Sequence, residues 1–159
     1  MTGIRTADPS DDAKLVAIDA ATWTETVSPA PAPSGPWSFF ERADPQDVLV
    51  AELDGAVAGY AAIGNTSPMP SHQHVLELRG LAVDPAAQGR GVGHLLVEAA
   101  VEEARRRGAL KITLRVLASN LVARRLYERC GFEVEGVLRG EFKLGGTFVD
   151  DVLMARSLA

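Results

Sequence analysis

The feature that most constrains the fold of this chain is VDPAAQGRGVGHLLVEAAVEEARRRG, at residues 83–108, where a glycine cluster meets a helical pattern. Glycine is unfavourable inside helices, so Gly89, Gly91 and Gly93 indicate a turn that leads into a helix. A strand pattern, HVLELRGLAV at 74–83, comes directly before it. The order strand, glycine-rich turn, helix predicts an anion site, because the first N–H groups of a helix have no partner within it.

The rest of the chain predicts further strands and helices around this segment. A helix after residue 9 would bury a stripe of Leu15, Ile18 and Ala21, and WSFFERA at 37–43 would form a short second helix. The predicted order is β-α-α-β-β-β-α-β-α-β-β, with hairpin turns at Asp54-Gly55 and at Gly145-Gly146. The proline-rich SPAPAPSGP is either a linker, the preferred interpretation, or a lid. We therefore expect a single mixed α/β (α+β) domain over residues 1–159.

Composition excludes several classes of function. The net charge of −5 argues against a nucleic-acid partner, which requires a basic surface. No segment approaches the ~20 apolar residues that cross a membrane, and MTGIRTADPS has no signal-peptide pattern, so a cytoplasmic location is expected. Cys130 is the only cysteine, which excludes an internal disulfide and a cysteine-cluster metal site, and we expect no metal.

The glycine turn matches neither common nucleotide-binding loop. A Walker loop requires Gly-Lys-Ser/Thr, whereas His94 and Leu95 follow Gly93. The dinucleotide pattern G-x-G-x-x-G also fails from either earlier glycine. Two interpretations stay open, a pyrophosphate-binding cradle and a turn without a ligand. The cradle would comprise Gln88, Gly89, Arg90, Gly91, Val92 and Gly93.

Two motifs resemble those of the GNAT acetyltransferase superfamily. LAVDPAAQGRGVGHLL is similar to its acyl-CoA motif Q/R-x-x-G-x-G/A, and NLVARRLYERCGF at 120–132 resembles its following motif N-x-x-A-x-x-x-Y-x-x-x-G-F. The resemblance implies a mixed, mostly antiparallel sheet flanked by helices, with a splayed strand pair that holds acyl-CoA. It also implies direct acetyl transfer from acetyl-CoA, as co-substrate, to a primary amine of a small molecule or a peptide N-terminus.

The resemblance assigns backbone roles to the end of the strand before the turn. Leu81, Ala82 and Val83 would line the pantetheine arm, with hydrogen bonds from the backbone of Leu81 and Val83. The Leu81 N–H would also stabilise the thioester oxygen as it gains negative charge. Gly80 inside this strand predicts a bulge.

Side-chain chemistry is expected from Glu77 and Tyr127. An alkyl amine with a pKa of ~10.4 is only about 0.04% neutral at pH 7, so a base is needed, and Glu77 occupies the position of a glutamate base in some members. The alternative for Glu77 is a surface charge. Tyr127 would protonate the leaving thiolate, while Asn120 and Ala123 on the same helix face would contact the coenzyme. The alternative is that Asn120 caps the helix and Tyr127 packs in the core; Asn120 can do both.

The competing functions are a catalytically silent acyl-CoA-binding regulatory module and a phosphate-binding protein that does not use CoA. Cys130 is interpreted as a small packing residue, and His94 as a solvated side chain or one near the phosphates. Pairing of two copies through the C-terminal strands, which occurs among similar proteins, makes a homodimer a further expectation.

Overall fold

The computed structural model describes residues 2–159, whose strands form one seven-stranded sheet in the order β1-β2-β3-β4-β5-β7-β6. Among the strands of residues 2–159, only the β4–β5 pair is parallel. The expected mixed, mostly antiparallel sheet is therefore confirmed. The strands are β1 (Thr2–Thr6), β2 (Val48–Leu53), β3 (Ala56–Gly64), β4 (Val75–Val83), β5 (Lys111–Leu117), β6 (Glu133–Leu144) and β7 (Thr147–Ser157). The helices are α1 (Asp12–Thr22), α2 (Val92–Arg106) and α3 (Leu121–Arg129).

Both predicted hairpin turns are present. Asp54 and Gly55 have φ values of 53° and 85°, and Gly145 and Gly146 have values of 56° and 82°. Positive φ at both central residues is the signature of the type I′ turn, which matches the right-handed twist of the flanking strands. These turns join β2 to β3 and β6 to β7.

Apolar side chains cover both faces of the sheet. Leu15 and Ile18 of α1 pack with Tyr60 of β3 in a core on one face. The core on the other face includes Leu96 of α2 and Tyr127 at the end of α3. The helices thus form layers on opposite sides of the sheet, and the edges of the central strands are left to form a site. Within residues 2–159 no helix is long and apolar enough to cross a membrane.

The second predicted helix was wrong. WSFFERA forms only a single 3-10 turn, Phe39–Glu41, because Asp44, which precedes Pro45, is extended and leaves no room for a longer helix. Asp12 accepts hydrogen bonds from the backbone of Phe39 at 3.3 Å and Phe40 at 3.2 Å, and from the Ser38 hydroxyl at 2.6 Å. The predicted α1 stripe also ends early, since Ala21 is exposed.

Strands β4 and β5 separate after a short parallel contact. Their register pairs are Val75–Lys111, Leu76–Ile112 and Glu77–Thr113, and beyond Glu77 the two strands are no longer paired. A register shift on the β3 side makes Arg79 the extra residue of a bulge, beside Gly80 as predicted. The result is a wedge between β4 and β5 whose apex lies at Glu77.

Candidate active site

The glycine turn presents a row of free backbone donors. Gly89 and Gly91 have φ values of 79° and 80°, and Gly91 is the N-cap of α2. The first helical hydrogen bond runs from Leu95 N to Gly91 O at 3.2 Å. Within the described chain, no hydrogen bond uses the N–H groups of residues 89–94. These donors and the positive end of the α2 dipole make the turn suited to bind an anion.

The loop before these amides is held in place by polar side chains. Asp84 accepts from Ala86 N at 3.0 Å and forms an ion pair with Lys14 at 2.8 Å. Gln88, predicted as a coenzyme contact, donates from Nε2 to Val83 O at 3.2 Å. Gln88 therefore braces the loop against the end of β4, so little reorganisation is needed before a ligand binds.

Gly93 has a different role from the other two glycines. A Cβ at Gly93 would lie 3.2 Å from Leu126 Cδ2 and 3.7 Å from Val83 Cγ2. At Gly89 and Gly91 a Cβ would meet nothing within 4 Å. Gly93 thus permits α3 and β4 to approach α2, whereas the other two provide a left-handed backbone. The motif therefore requires glycine for two reasons, close packing at Gly93 and a left-handed backbone at Gly89 and Gly91.

The last residues of β4 expose one backbone edge. Leu81, Ala82 and Val83 pair with β3, but they have no partner on the β5 side. Leu81 and Val83 pack toward the α2 face, and Ala82 packs toward the α1 face. Because their side chains point away from the edge, backbone groups are what this part of β4 offers to a ligand in the wedge.

The second motif forms α3 along the other side of this region. The Asn120 side chain accepts a hydrogen bond from Ala123 N at 3.2 Å, which confirms the N-cap. Tyr127 is 8% exposed, and its ring lies 6.0 Å from that of Phe132. Burial, with a smaller effect of Cys130, raises the pKa of Tyr127 to about 12. Tyr127 consequently keeps its proton at neutral pH.

Glu77 stands at the apex of the wedge. Its neighbours Leu76 and Leu78 face the α2 side, so strand alternation turns the Glu77 side chain toward the α1 side. Partial burial raises the pKa of Glu77 above its ordinary value, and nearby Arg79 and Arg115 oppose that rise. Such a carboxylate is a stronger base than one in water, while it can still ionise.

A polar pair on β5 and β7 shares the environment of Glu77. The Arg115 guanidinium donates from Nε to Asp151 Oδ2 at 2.6 Å, and Asp151 is only 3% exposed. The pKa of Glu77 responds to both of these charges. This pair is not predictable from the sequence, because strand alternation does not indicate which residues on distant strands lie side by side.

A cavity of about 380 Å³ opens on the α1 side of the sheet beside the bulge. The Tyr60 hydroxyl donates to Asp19 Oδ1 at 2.5 Å, and burial raises the pKa of Asp19 above its usual value. Aromatic rings and acidic groups therefore meet in one pocket. The lining includes Asp19, Trp37, Phe39, Tyr60, Arg79 and Gly80. A second cavity, of about 370 Å³, lies near Leu110 and Lys111 and touches no predicted site residue.

The structure also gives Cys130 partners that the sequence did not indicate. Cys130 is 3% exposed, as a packing residue would be, and His94 is exposed as expected. However, His94 Nδ1 lies 3.4 Å from Cys130 Sγ, and Glu98 lies close to both. The spacing of His94 and Glu98, one helical turn apart, was the signal available in the sequence.

Comparison with known proteins decides the family. The sequence model described as the acetyltransferase (GNAT) family matches residues 13–132. The chain belongs to the GNAT acetyltransferase family. The N-alpha-acetyltransferase RimI of Mycobacterium tuberculosis is 32% identical over 144 residues, which are 87% of this chain and 88% of that protein. A protein of Methanocaldococcus jannaschii named as an N-acetyltransferase is 32% identical over 111 residues, which are 68% of this chain but only 49% of that protein.

Solved structures of other proteins share the whole fold of this chain. A protein from Streptococcus mutans UA159 superposes with a TM-score of 0.90 at 28% identity, over 99% of each chain. An acetyltransferase from Salmonella typhimurium, solved with its cofactor acetyl-CoA, gives 0.78 at 25% identity over 100% of this chain and 95% of that one. The chain is thus a GNAT N-acetyltransferase by family and by fold.

Proposed function

We propose that this GNAT protein transfers the acetyl group of acetyl-CoA directly to a primary amine in the wedge between β4 and β5. The observation that carries the proposal is the row of free amides at residues 89–94, next to the unpaired edge of β4. Each amide can donate a charge-assisted hydrogen bond to the coenzyme diphosphate. The pantetheine arm then runs along Leu81, Ala82 and Val83 toward Glu77, with Asn120 and Ala123 on its other side.

In this proposal the acceptor amine enters from the α1-side cavity. Gly64, the register partner of Glu77, lines that cavity together with Arg79 and Gly80. The acidic Asp19 attracts an ammonium group, and the rings of Trp37 and Tyr60 suit an apolar body. The acceptor is therefore a primary amine with an apolar body, either a small molecule or a peptide N-terminus.

Glu77 removes the ammonium proton before or during attack. Making a neutral amine at pH 7 from a group with a pKa of ~10.4 costs roughly 4–5 kcal/mol, so this step benefits most from assistance. The Leu81 N–H stabilises the oxygen of the tetrahedral intermediate. The positive charges of Arg79 and Arg115 near Glu77 favour its ionised carboxylate, whereas burial and the charge of Asp151 raise its pKa and make it the stronger base.

Tyr127 assists the departing sulfur by hydrogen bonding. Its pKa of about 12 lies above the ~8.5 of a thiol, so complete proton transfer to the thiolate is uphill by about 5 kcal/mol. A thiolate departs at neutral pH without being fully protonated, and a hydrogen-bond donor is enough to assist it. We therefore assign Tyr127 the role of hydrogen-bond donor to the leaving thiolate.

The test is release of free coenzyme thiol from acetyl-CoA over a panel of primary amines, with mass spectrometry of the acetylated product. Stoichiometric thiol and acetylated amine support the proposal. Tight acetyl-CoA binding without thiol release over the whole panel would instead support the catalytically silent module. A thermal shift produced by inorganic phosphate or ATP but not by acetyl-CoA would identify a phosphate-binding protein that does not use CoA.

Two further expectations belong to this proposal. The C-terminal hairpin carries exposed apolar side chains, and these suit the pairing of two copies; they are Val134, Val137, Leu138 and Phe148. Light scattering at micromolar concentration tests the homodimer, and a monomer would refute it. A cytoplasmic location stays a prediction.

A further inference from the structure

We infer that His94, Glu98 and Cys130 form a binding site for a soft divalent cation of the zinc class, which bridges the start of α2 and the end of α3. The ligand atoms of these three residues all lie within 4.8 Å of one another. Imidazole nitrogen, carboxylate oxygen and thiolate sulfur are the donors that Zn²⁺ binds. The acetyl-transfer chemistry uses none of the three side chains, so the inference is independent of the proposed function.

The distances match a tetrahedral site. With Zn–S near 2.3 Å and Zn–N near 2.0–2.1 Å, two ligands at a tetrahedral angle stand about 3.6 Å apart. The observed separation of His94 Nδ1 and Cys130 Sγ is 3.4 Å. A cation can therefore enter with only a small change at this pair, and a Glu98 carboxylate oxygen lies within 4.8 Å of both ligand atoms.

Arg156 holds Glu98 and the backbone of Cys130 in place, while the site stays open to solvent on the side of His94. Arg156 Nη1 donates to the Cys130 carbonyl at 2.7 Å and to Glu98 Oε1 at 3.3 Å, which leaves Glu98 Oε2 for the cation. His94 is exposed, so a cation reaches the site from solvent while Cys130 forms its buried base. Three protein ligands leave the fourth position to water.

Charge balance favours a divalent ion. Binding replaces the thiol proton of Cys130, which leaves to solvent, with a metal–sulfur bond. The thiolate and the Glu98 carboxylate then contribute two negative charges, which balance those of a divalent cation, whereas the nearby positive charges of Arg156 and Arg129 reduce the affinity. The affinity is expected to fall as the pH falls, because protons compete for the same ligand atoms.

The direct test is a titration of the chelator-treated full-length protein with Co²⁺ and, in competition, with Zn²⁺. We expect one equivalent of Co²⁺ to produce a thiolate-to-cobalt charge-transfer band in the near ultraviolet and the visible bands of a tetrahedral site. Zn²⁺ should abolish these bands. At a free Zn²⁺ concentration of 100 times Kd, the melting temperature should rise by about 5–10 °C.

Single-residue variants distinguish metal binding at this site from nonspecific metal binding elsewhere on the protein. His94→Ala should weaken Co²⁺ binding more than about 100-fold, since loss even of a group that only orients a ligand costs 10–100-fold. His74→Ala, which removes an exposed histidine outside the cluster, is the matched control and should bind like the unaltered protein. Glu98→Gln should also weaken binding.

Three results would overturn the inference. The first is the absence of a charge-transfer band at millimolar Co²⁺. The second is an equal loss of affinity in His94→Ala and His74→Ala. The third is a band that persists in Cys130→Ser. If Cys130→Ser does not fold, the band in the unaltered protein still reports sulfur ligation, and the exposed His94 still provides the variant test.

Discussion

Replacement of Gly91 by alanine tests the role of the glycine turn most sharply. Gly91 has a φ of 80°, and an added Cβ meets nothing within 4 Å. The cost to the folded protein is therefore conformational, about 1–2 kcal/mol for an L-residue in the left-handed region. For a chain of this size the melting temperature should fall by about 2–8 °C.

Coenzyme binding should suffer more than folding. The substitution moves backbone donors at the N-terminus of α2, where each charge-assisted hydrogen bond contributes about 1.5–3 kcal/mol. Loss of one such bond raises Kd for acetyl-CoA by about 10- to 100-fold. Gly108 provides the matched control, since it has a φ of 87°, an equally open Cβ position and lies at the other end of α2.

Calorimetry and thermal melts of the unaltered protein, Gly91→Ala and Gly108→Ala separate the two effects. We expect similar losses of melting temperature in the two variants, but weaker acetyl-CoA binding in Gly91→Ala alone. An affinity for acetyl-CoA that is unchanged in both variants would refute the role of the turn. Equal weakening in both would mean that folding stability controls binding.

Three further predictions concern individual side chains. Tyr127→Phe should lower kcat about 10- to 100-fold and leave the Kd for acetyl-CoA unchanged; an unaltered kcat removes Tyr127 from the mechanism. Glu77→Gln should reduce kcat/KM most at low pH, with a loss that shrinks as the pH approaches the pKa of the amine, whereas a loss that is uniform across pH contradicts a base role. The Arg5 guanidinium lowers the pKa of Asp11, so that ion pair stabilises the fold above pH ~4 and the contribution disappears as pH falls through the folded-state pKa. Asp11→Asn should cost about 1–2 kcal/mol in urea unfolding at pH 7, and this cost should shrink as the pH falls through the folded-state pKa of Asp11; a cost that stays constant with pH would contradict the electrostatic explanation.

Local patterns predicted the architecture because short-range chemistry controls it. Asp54-Gly55 specifies a type I′ turn wherever it occurs between apolar strands, and Asn120 caps α3 by a contact with a residue three positions away. The helix predicted for WSFFERA did not form, because residues that are distant in sequence decide the conformation of this segment. Contacts with distant residues fix this segment as a short turn, since Asp12 of α1 binds its first N–H groups and Phe39 packs against Tyr60 of β3.

The candidate site was predictable where it depends on backbone and motif, and not where it depends on distant side chains. The free amides follow from the glycine spacing, whereas the pairing of Asp19 with Tyr60 joins α1 to β3 over 41 positions. The approach of His94 to Cys130 likewise spans 36 positions. Such contacts arise from the packing of helices against the sheet, which a single sequence does not encode in any local pattern.

The proposed function depends above all on binding of the coenzyme diphosphate by the amides of residues 89–94. A titration of the ¹⁵N-labelled protein with CoA, followed by two-dimensional NMR, observes these N–H groups directly. We expect the amide signals of Gly89, Gly91 and Gly93 to shift among the most in the chain, and inorganic pyrophosphate to move the same signals. Amides that keep their positions at saturating CoA, while signals elsewhere move, would contradict this expectation.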